Sequence, residues 1–306
     1  MEQSQLTEGC IFDVQGFSVH DGPGCRTLIF LKGCTLHCDW CSNPEGIDPH
    51  PVLMFDNEKC IRDGLCVKAC QHQALAIEQN QLTINRLLCR DCEDFACTKE
   101  CLTNALRRAG TFTTVDQLLK IIQRDRQFWG SEGGITLTGG EPLLQLIFAK
   151  EILKRCYESY VHTAIETCGN IPWKNFEETI PWIDFIYFDL KMMDNEKHRS
   201  LTGAGNELIL ANARRLAMQF NGKLVFRIPV IPGINDTQEQ IENAVAFMKE
   251  TGIQEINLLP LHHLGKEKYR LLGRNYPLNG RLTPNRFEMI RLQEIFRSHG
   301  VKCFID

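Results

Sequence analysis

The stretch Gly33-Cys34-Thr35-Leu36-His37-Cys38-Asp39-Trp40-Cys41 follows an apolar segment, residues 27–32, whose composition predicts a β-strand. It spaces Cys34, Cys38 and Cys41 as Cys-x3-Cys-x2-Cys. A [4Fe-4S] cluster takes four ligands, so a loop that supplies three thiolates leaves one iron open to bind another molecule. A structural zinc site is the alternative, but such sites are normally closed by four protein ligands. The spacing therefore favours an iron–sulfur cluster with one open iron.

The spacing of this cysteine loop resembles that of the radical S-adenosylmethionine (SAM) superfamily. The resemblance implies that the amino and carboxylate groups of SAM bind the open iron of a [4Fe-4S] cluster held by Cys34, Cys38 and Cys41. It also implies that Trp40, just before the last cysteine, stacks on the adenine of SAM. For the loop taken alone, a zinc knuckle remains the alternative.

The composition indicates a folded protein with metal or redox chemistry. The chain of 306 residues is 43% hydrophobic, enough for one large α/β domain and a small one. It has no apolar run near the ~20 residues that span a bilayer, so we expect a cytoplasmic protein outside membranes. Fifteen cysteines in a reducing compartment favour metal binding over disulfides. The net charge of −4, without a basic stripe, argues against nucleic-acid binding.

Beyond residue 109, apolar strand-like runs alternate with amphipathic helical runs, which predicts βα units and a parallel sheet. With the strand at residues 27–32, about six βα units and a terminal strand are expected. This number fits a partial (β/α)6 barrel of the radical SAM type better than a full eight-unit barrel. Thr114 is the predicted N-cap of a first helix in this region. The predicted strands are residues 134–138, 161–166, 185–190, 224–231, 255–260 and 301–305, and the later helices are residues 143–157, 207–220, 237–249 and 284–298.

A cysteine-dense segment divides the chain into residues 1–50, an insert at 51–107, and residues 108–306, the first and last forming the barrel. Two-cluster bacterial ferredoxins carry two runs of four cysteines, and the last cysteine of each run crosses to the other cluster. The insert has two similar runs, which predicts a ferredoxin-like domain with two auxiliary [4Fe-4S] clusters. By this logic Cys70, Cys89, Cys92 and Cys97 hold one cluster, and Cys60, Cys66 and Cys101 hold most of the other. The remaining cysteines, Cys10, Cys25, Cys156, Cys168 and Cys303, are expected to be ordinary buried thiols.

The first run departs from the ferredoxin pattern because Asp63 stands where its second cysteine is expected. Three arrangements are open: Asp63 binds iron through its carboxylate, water completes that iron, or the iron is lost. Two zinc ribbons are the alternative to clusters, but seven cysteines do not divide into two sites of four thiolates.

The sequence Thr138-Gly139-Gly140-Glu141-Pro142 lies where a predicted strand ends and a helix begins. On a barrel this is the face that carries active sites. The glycines allow a ligand to approach the backbone, and Glu141 offers an acceptor for an ammonium group. A similar GGEP motif in radical SAM enzymes binds the amino group of the methionine moiety. The alternative is a tight turn with Pro142 at the first helical position.

The block Asp21-Gly22-Pro23-Gly24-Cys25-Arg26-Thr27 resembles the DGPG-x-RT motif of the activating enzymes of glycyl radical enzymes, the pyruvate formate-lyase activator family. The resemblance covers nearly the whole chain. It implies that Asp21 lies near the target glycyl loop of a partner protein. Residues 8–20, 162–167 and 255–273 most resemble the activators of arylacetate decarboxylases.

The same resemblance assigns polar residues at the ends of successive predicted strands, where one barrel mouth would gather them. Each could also be a solvated residue at a strand end. They are Glu166 and Thr167, expected to help hold a monovalent cation; Asp189 and Lys191, the latter meeting the carboxylate of SAM; and Arg227 and His262, near the cofactor.

The implied function is the activation of a partner protein. One electron cleaves SAM reductively to methionine and a 5′-deoxyadenosyl radical, which removes hydrogen from a glycine of a glycyl radical enzyme. A flavodoxin or ferredoxin would supply the electron through the auxiliary clusters. Two alternatives remain at this stage: a radical SAM enzyme that acts on a small molecule, and a plain electron carrier or iron–sulfur scaffold.

Overall fold

The computed structural model describes residues 7–90 and 92–306, and most of its strands join one nine-stranded sheet. The strands are β1 (Glu8–Ser18), β2 (Arg26–Leu31), β3 (Val52–Phe55), β4 (Leu75–Glu78), β5 (Gln81–Ile84), β6 (Leu106–Ala109), β7 (Thr111–Thr114), β8 (Gly134–Gly139), β9 (His162–Thr167), β10 (Phe185–Asp189), β11 (Lys223–Val230), β12 (Glu255–Pro260) and β13 (Lys302–Ile305). The helices are α1 (Leu65–Ala69), α2 (Ala96–Lys99), α3 (Val115–Ile122), α4 (Leu146–Glu158), α5 (Trp173–Thr179), α6 (Asn195–Thr202), α7 (Glu207–Gln219), α8 (Gln238–Thr251), α9 (Gly265–Leu271) and α10 (Arg286–Ser298).

The large sheet has the strand order β13-β12-β11-β10-β9-β8-β2-β1-β7. β2 and the strands from β8 to β13 run parallel to one another, as the sequence predicts. β1 and β7 add an antiparallel edge. The apolar pattern does not predict this edge, because β1 is mostly exposed beyond its first residues and β7 has only 4 residues. The sheet is open, since its edge strands β7 and β13 lie at opposite ends of the order.

Helices cover the sheet through their apolar faces. The first predicted helix, α3, begins at Thr114, where Gln117 N donates to Thr114 Oγ1 (3.2 Å) and Thr114 N donates to Gln117 Oε1 (3.0 Å). The helix predicted at residues 143–157 starts with a 3-10 turn, Pro142–Gln145, before α4. The pattern does not predict α5, α6 or α9, which have only 7 or 8 residues each. Within the described residues, no helix is long and apolar enough to cross a membrane.

The cysteine-dense insert forms a small domain with its own core. β3 and β6 pair antiparallel from Val52 opposite Ala109 to Phe55 opposite Leu106, which closes the insert at its base. β4 and β5 form a hairpin further out. All seven insert cysteines pack in this core together with the buried apolar side chains of Leu53, Leu75, Leu82, Phe95 and Leu106. The paired base begins and ends within two residues of the predicted boundaries at 51 and 107.

Helix α9 joins the insert to the cysteine loop of the barrel. On one side, Arg270 Nη2 donates to Asp56 Oδ1 (2.9 Å). On the other, Lys268 Nζ donates to Asn43 Oδ1 (2.7 Å) and pairs with Glu45 Oε1 (2.6 Å). The first residue of the helix must be small, because a Cβ on Gly265 would lie 2.7 Å from the carbonyl oxygen of Cys41.

Candidate active site

The carboxyl ends of the parallel strands surround a cavity of about 330 Å³, which is within the usual range for ligand pockets. The cysteine loop forms one wall, and residues in or just after β2 and β8 to β12 form the others. Glu141 is fully buried beside the cavity and does not line it. The residues expected from the sequence that do line it are Asp21, Cys34, Cys38, Trp40, Cys41, Gly139, Gly140, Glu166, Thr167, Asp189, Lys191, Arg227 and His262.

Backbone hydrogen bonds fix the cysteine loop. Cys34 N donates to Ile47 O (2.9 Å), His37 N to Thr202 O (2.7 Å), and Cys41 N to Cys38 O (3.0 Å). The loop is therefore held by residues 46–47 on one side and by the end of α6 on the other. Its three thiols face the same cavity.

Two of the loop's three thiols are poor anions without a metal, whereas a hydrogen bond with Cys168 lowers the pKa of Cys34. Burial raises the pKa of Cys38 to about 12 and that of Cys41 to about 11. Thiolates at these positions therefore need a cationic ligand, such as iron, to stabilise them. In residues 7–90 and 92–306, no three His, Cys, Asp or Glu side chains are grouped closely enough to hold a single metal ion. Each thiolate of a [4Fe-4S] cluster binds a different iron, so the sulfur atoms need not lie close enough to share one metal ion.

Glu141 anchors the turn after β8 to the end of β9. Its Oε2 accepts hydrogen bonds from Thr167 Oγ1 (2.8 Å) and Cys168 N (2.9 Å), and its own N donates to Gly33 O (2.7 Å). Burial raises the pKa of this carboxyl. Because protein donors engage the carboxylate, the part of the GGEP motif that meets the cavity is the backbone of its glycines.

The two glycines are required by close backbone contacts. A Cβ on Gly140 would lie 2.1 Å from Gly33 O, and one on Gly139 would lie 2.5 Å from Leu31 N. Gly140 N also donates to Leu31 O (2.9 Å). The turn after β8 therefore lies directly against the chain that leads into the cysteine loop, which brings the two motifs together.

A network of four charged side chains lines the opposite wall. Arg227 Nη1 pairs with Glu166 Oε1 (2.5 Å) and Arg227 Nε with Asp189 Oδ1 (3.1 Å), while Lys191 Nζ pairs with Asp189 Oδ2 (2.9 Å). Thr138 Oγ1 donates to the second oxygen of Glu166 (2.7 Å). Burial alone would lower the pKa of Lys191, but Asp189 and nearby thiols raise it well above its usual value. Lys191 and Arg227 therefore present fixed positive charge to the cavity.

Arg26, in the DGPG block, has a structural role that the sequence analysis does not predict. This side chain is fully buried, and it donates to Pro23 O (2.8 Å), Thr136 Oγ1 (2.7 Å) and His162 O (3.2 Å). Thr136 Oγ1 in turn donates to Asp21 O (2.8 Å). Arg26 thus ties the loop to β8 and β9 and holds Asp21 at the cavity. The signal in the sequence is an arginine opening a wholly buried strand.

Two cysteines differ from the expectation of an ordinary buried thiol. Cys168 is buried but lines the cavity next to the three loop cysteines. Cys25 is only partly buried. Cys10, Cys156 and Cys303 are buried as expected.

The crossover pattern predicts two groups among the insert's cysteines, and in both predicted groups neighbouring thiols influence one another's pKa. Burial raises the pKa of Cys97 to about 12, and the neighbouring Cys70, Cys89 and Cys92 add to that shift. Burial likewise raises the pKa of Cys66, with contributions from Cys101, Cys60 and Asp63. A separate small cavity is lined by the second group, Cys60, Asp63, Cys66 and Cys101.

Comparisons with known proteins identify the family of this chain. The sequence model of the radical SAM superfamily matches residues 28–248. The chain is 43% identical to the 4-hydroxyphenylacetate decarboxylase activating enzyme of Clostridioides difficile over 100% of this chain and 98% of that protein. It is 41% identical to the isethionate sulfite-lyase activating enzyme of Oleidesulfovibrio alaskensis over 90% of this chain and 91% of that protein.

The fold is also similar to that of a radical SAM methyltransferase from Sphaerobacter thermophilus, with a TM-score of 0.55 at 14% identity over 97% of this chain and 76% of that one. The superfamily model spans the cysteine loop, the GGEP turn and the charged network. The protein belongs to the radical SAM superfamily and, within it, to the activating enzymes.

Proposed function

We propose that this protein activates an arylacetate decarboxylase of the glycyl radical class by removing a hydrogen atom from one of its glycines. The observation that carries the proposal is the cavity in which three cysteines face a buried lysine and arginine. Identity to the 4-hydroxyphenylacetate decarboxylase activating enzyme over the full chain supports the choice of partner. The similar identity to an isethionate sulfite-lyase activator makes that lyase the partner to test against it.

The residues present suit a [4Fe-4S] cluster and SAM. Cys34, Cys38 and Cys41 would hold the cluster, which when bound supplies the electron for reductive cleavage of SAM. Lys191 would bind the carboxylate of SAM, since it is cationic and faces the cavity. The backbone at Gly139 and Gly140 would approach the amino group, where the absence of side chains leaves room.

Other cavity residues would position the rest of SAM and the target glycine. Trp40 and His262 would flank the adenosine, with the indole stacking on adenine. Asp21, held by Arg26 through Thr136, would orient the glycyl loop of the partner.

A monovalent cation, expected beside Glu166 and Thr167, does not suit this arrangement. Arg227 donates to Glu166 and to Asp189, so its guanidinium already neutralises the carboxylate of Glu166. The hydroxyl of Thr167 donates to Glu141 Oε2 (2.8 Å), and its oxygen accepts from Gly169 N (3.0 Å). We infer that Arg227 supplies the positive charge in place of the cation.

The insert would carry two auxiliary clusters that pass electrons from a flavodoxin or ferredoxin. Its seven cysteines pack in one small core, and α9 contacts both the insert and the residues just after the cysteine loop. A reducing cytoplasm is the compartment that suits such thiolates.

The test is anaerobic reconstitution with iron and sulfide, followed by dithionite and SAM. We expect 5′-deoxyadenosine, and its loss in Cys38→Ala but not in the control Cys156→Ala, whose thiol is buried in α4. Electron paramagnetic resonance (EPR) should then detect a glycyl radical on added 4-hydroxyphenylacetate decarboxylase and not on isethionate sulfite-lyase. Cleavage of SAM without a radical on either protein would favour a small-molecule substrate instead.

A further inference from the structure

The insert is built from two copies of one β-α-β unit. β3, α1 and β4 form the first unit, and β5, α2 and β6 form the second. The units pair reciprocally, because β3 pairs with β6 and β4 with β5. Residues 66–75 and 97–106 share the pattern Cys-x-Lys-x-Cys-x-x-x-Ala-Leu at a spacing of 31 residues.

Backbone conformations repeat at the same spacing. Gly64 and Phe95 precede the two helices with positive φ of 76° and 47°. Gln73 and Asn104 also have positive φ, 50° and 54°, and their N–H groups donate to Cys70 O and Cys101 O at 3.1 Å each. The register between the two units is therefore fixed from residue 64 onward.

At this spacing of 31 residues, Asp63 of the first unit is equivalent to Asp94 of the second. Leu65 N donates to Asp63 Oδ1 (3.0 Å), and Ala96 N donates to Asp94 Oδ1 (3.3 Å). Each aspartate thus closes the same side-chain turn onto the residue two positions later. Asp94 lies beside Cys70, Cys89, Cys92 and Cys97, which already supply four thiolates. Its position in the unit is therefore that of a turn residue and not that of a ligand.

Before this turn, the spacing between equivalent residues of the two units is 29 and not 31. Asp56 N donates to Ala105 O (2.7 Å) and Asn85 N donates to Ala74 O (2.8 Å), so Asp56 and Asn85 are equivalent. In both units the following turn closes three residues later, at Lys59 (3.2 Å) and at Leu88 (3.2 Å). Cys60 is then equivalent to Cys89, at a spacing of 29 residues.

The loop that joins these two parts of the unit, from Cys60 to Asp63 and from Cys89 to Asp94, is shorter in the first unit. Two residues separate Cys60 from Asp63, whereas four separate Cys89 from Asp94, and Cys92 is one of those four. The first unit has therefore lost the position of Cys92, and Asp63 does not replace it. Arg62 lines the small cavity at this point, next to Cys60, Cys66 and Cys101.

We propose that the auxiliary cluster at Cys60, Cys66 and Cys101 has three protein ligands and one iron open to an external ligand, with Asp63 acting as a turn residue. The proposal rests on the auxiliary clusters of the proposed function. The cationic side chain of Arg62 beside the cavity favours a small anion or a thiolate as that ligand.

The experiment uses the full chain with Cys34, Cys38 and Cys41 replaced by Ala, which removes the SAM-binding cluster. Ferricyanide should take one electron from the open cluster and release one Fe²⁺, which converts [4Fe-4S]²⁺ to [3Fe-4S]⁺. EPR should show this conversion in one of the two clusters. Cyanide added to the dithionite-reduced protein should shift the EPR signal of the same cluster.

Asp63→Asn keeps the oxygen that accepts from Leu65 N but removes the carboxylate, and Asp94→Asn is its matched control. We expect both variants to retain iron content, conversion by ferricyanide and the cyanide shift unchanged. Loss of iron or an altered EPR signal in Asp63→Asn alone would make Asp63 a ligand and overturn the proposal. Failure of both ferricyanide and cyanide to affect one cluster selectively would also overturn it. A background variant with no iron–sulfur signal would instead reject the auxiliary clusters themselves.

Discussion

At the scale of single residues, Lys191 has the features of a carboxylate receptor. It is mostly buried, faces the cavity, and has a pKa raised by Asp189 against the effect of burial. A charge-assisted hydrogen bond to SAM should contribute about 1.5–3 kcal/mol. Lys191→Ala should therefore weaken SAM binding roughly ten- to hundred-fold in anaerobic titration. The exposed Lys197→Ala on α6 is the control, and an affinity equal to that control would remove Lys191 from the site.

Arg227 is the second residue that contributes a buried positive charge to the cavity. Because its guanidinium bridges Glu166 and Asp189, SAM binding should be the same in potassium chloride and in choline chloride at equal ionic strength. Arg227→Ala frees both carboxylates, so its residual SAM affinity should become higher in potassium than in choline. A potassium requirement in the parent protein would contradict the assignment of Arg227 as the internal cation.

At the scale of elements, α9 stabilises the cysteine loop through Lys268. The side chain of Glu45 is 7% exposed and relies on Lys268 for its ion pair. Removing the partner of a buried charge costs about 1–3 kcal/mol. Lys268→Ala should lower the free energy of unfolding by about that amount in urea titrations and speed the loss of cluster iron to a chelator. The exposed Lys266→Ala should change neither quantity, and equal behaviour of the two variants would show that α9 does not support the loop.

The elements also show which parts of the fold the sequence can predict. The parallel strands are predictable because most of them contain buried apolar runs, such as residues 28–31 of β2 and residues 185–188 of β10. Short helices such as α9 are not, because seven residues make fewer than two full repeats of an amphipathic pattern. The side-chain turn of Asp63 is not predictable either, since counting from Cys60 equates it with Cys92 and only backbone conformation reveals the shorter loop.

At the scale of the whole molecule, the site is predictable where chemistry requires particular residue types at fixed spacing. The loop cysteines line one cavity together with Asp189, Lys191 and Arg227 at the carboxyl ends of β10 and β11. The anchoring role of Arg26 and the engagement of Glu141 by Thr167 depend on which backbone lies nearby in three dimensions. No local pattern encodes such long-range contacts, so they become visible only in the folded chain.

At the scale of the whole molecule, α9 contacts both the insert and the residues just after the cysteine loop, and the electron transfer proposed above would depend on this contact. Arg86 fixes this arrangement, because its Nη2 donates to Leu271 O at the end of α9 (3.3 Å) and its Nη1 to Leu53 O in β3 (2.5 Å). Arg86→Ala should loosen the insert without changing the cavity. We expect SAM cleavage driven by dithionite, which reaches clusters directly, to stay near the parent rate.

Cleavage driven by reduced flavodoxin or ferredoxin should fall in Arg86→Ala, because these donors would need the auxiliary clusters held in place. Arg124→Ala, an exposed arginine beyond α3, is the control and should match the parent with every donor. The measurement is the initial rate of 5′-deoxyadenosine formation with each reductant. An equal loss with dithionite and with the protein donors would mean that Arg86 stabilises the fold as a whole and does not define an electron path through the insert.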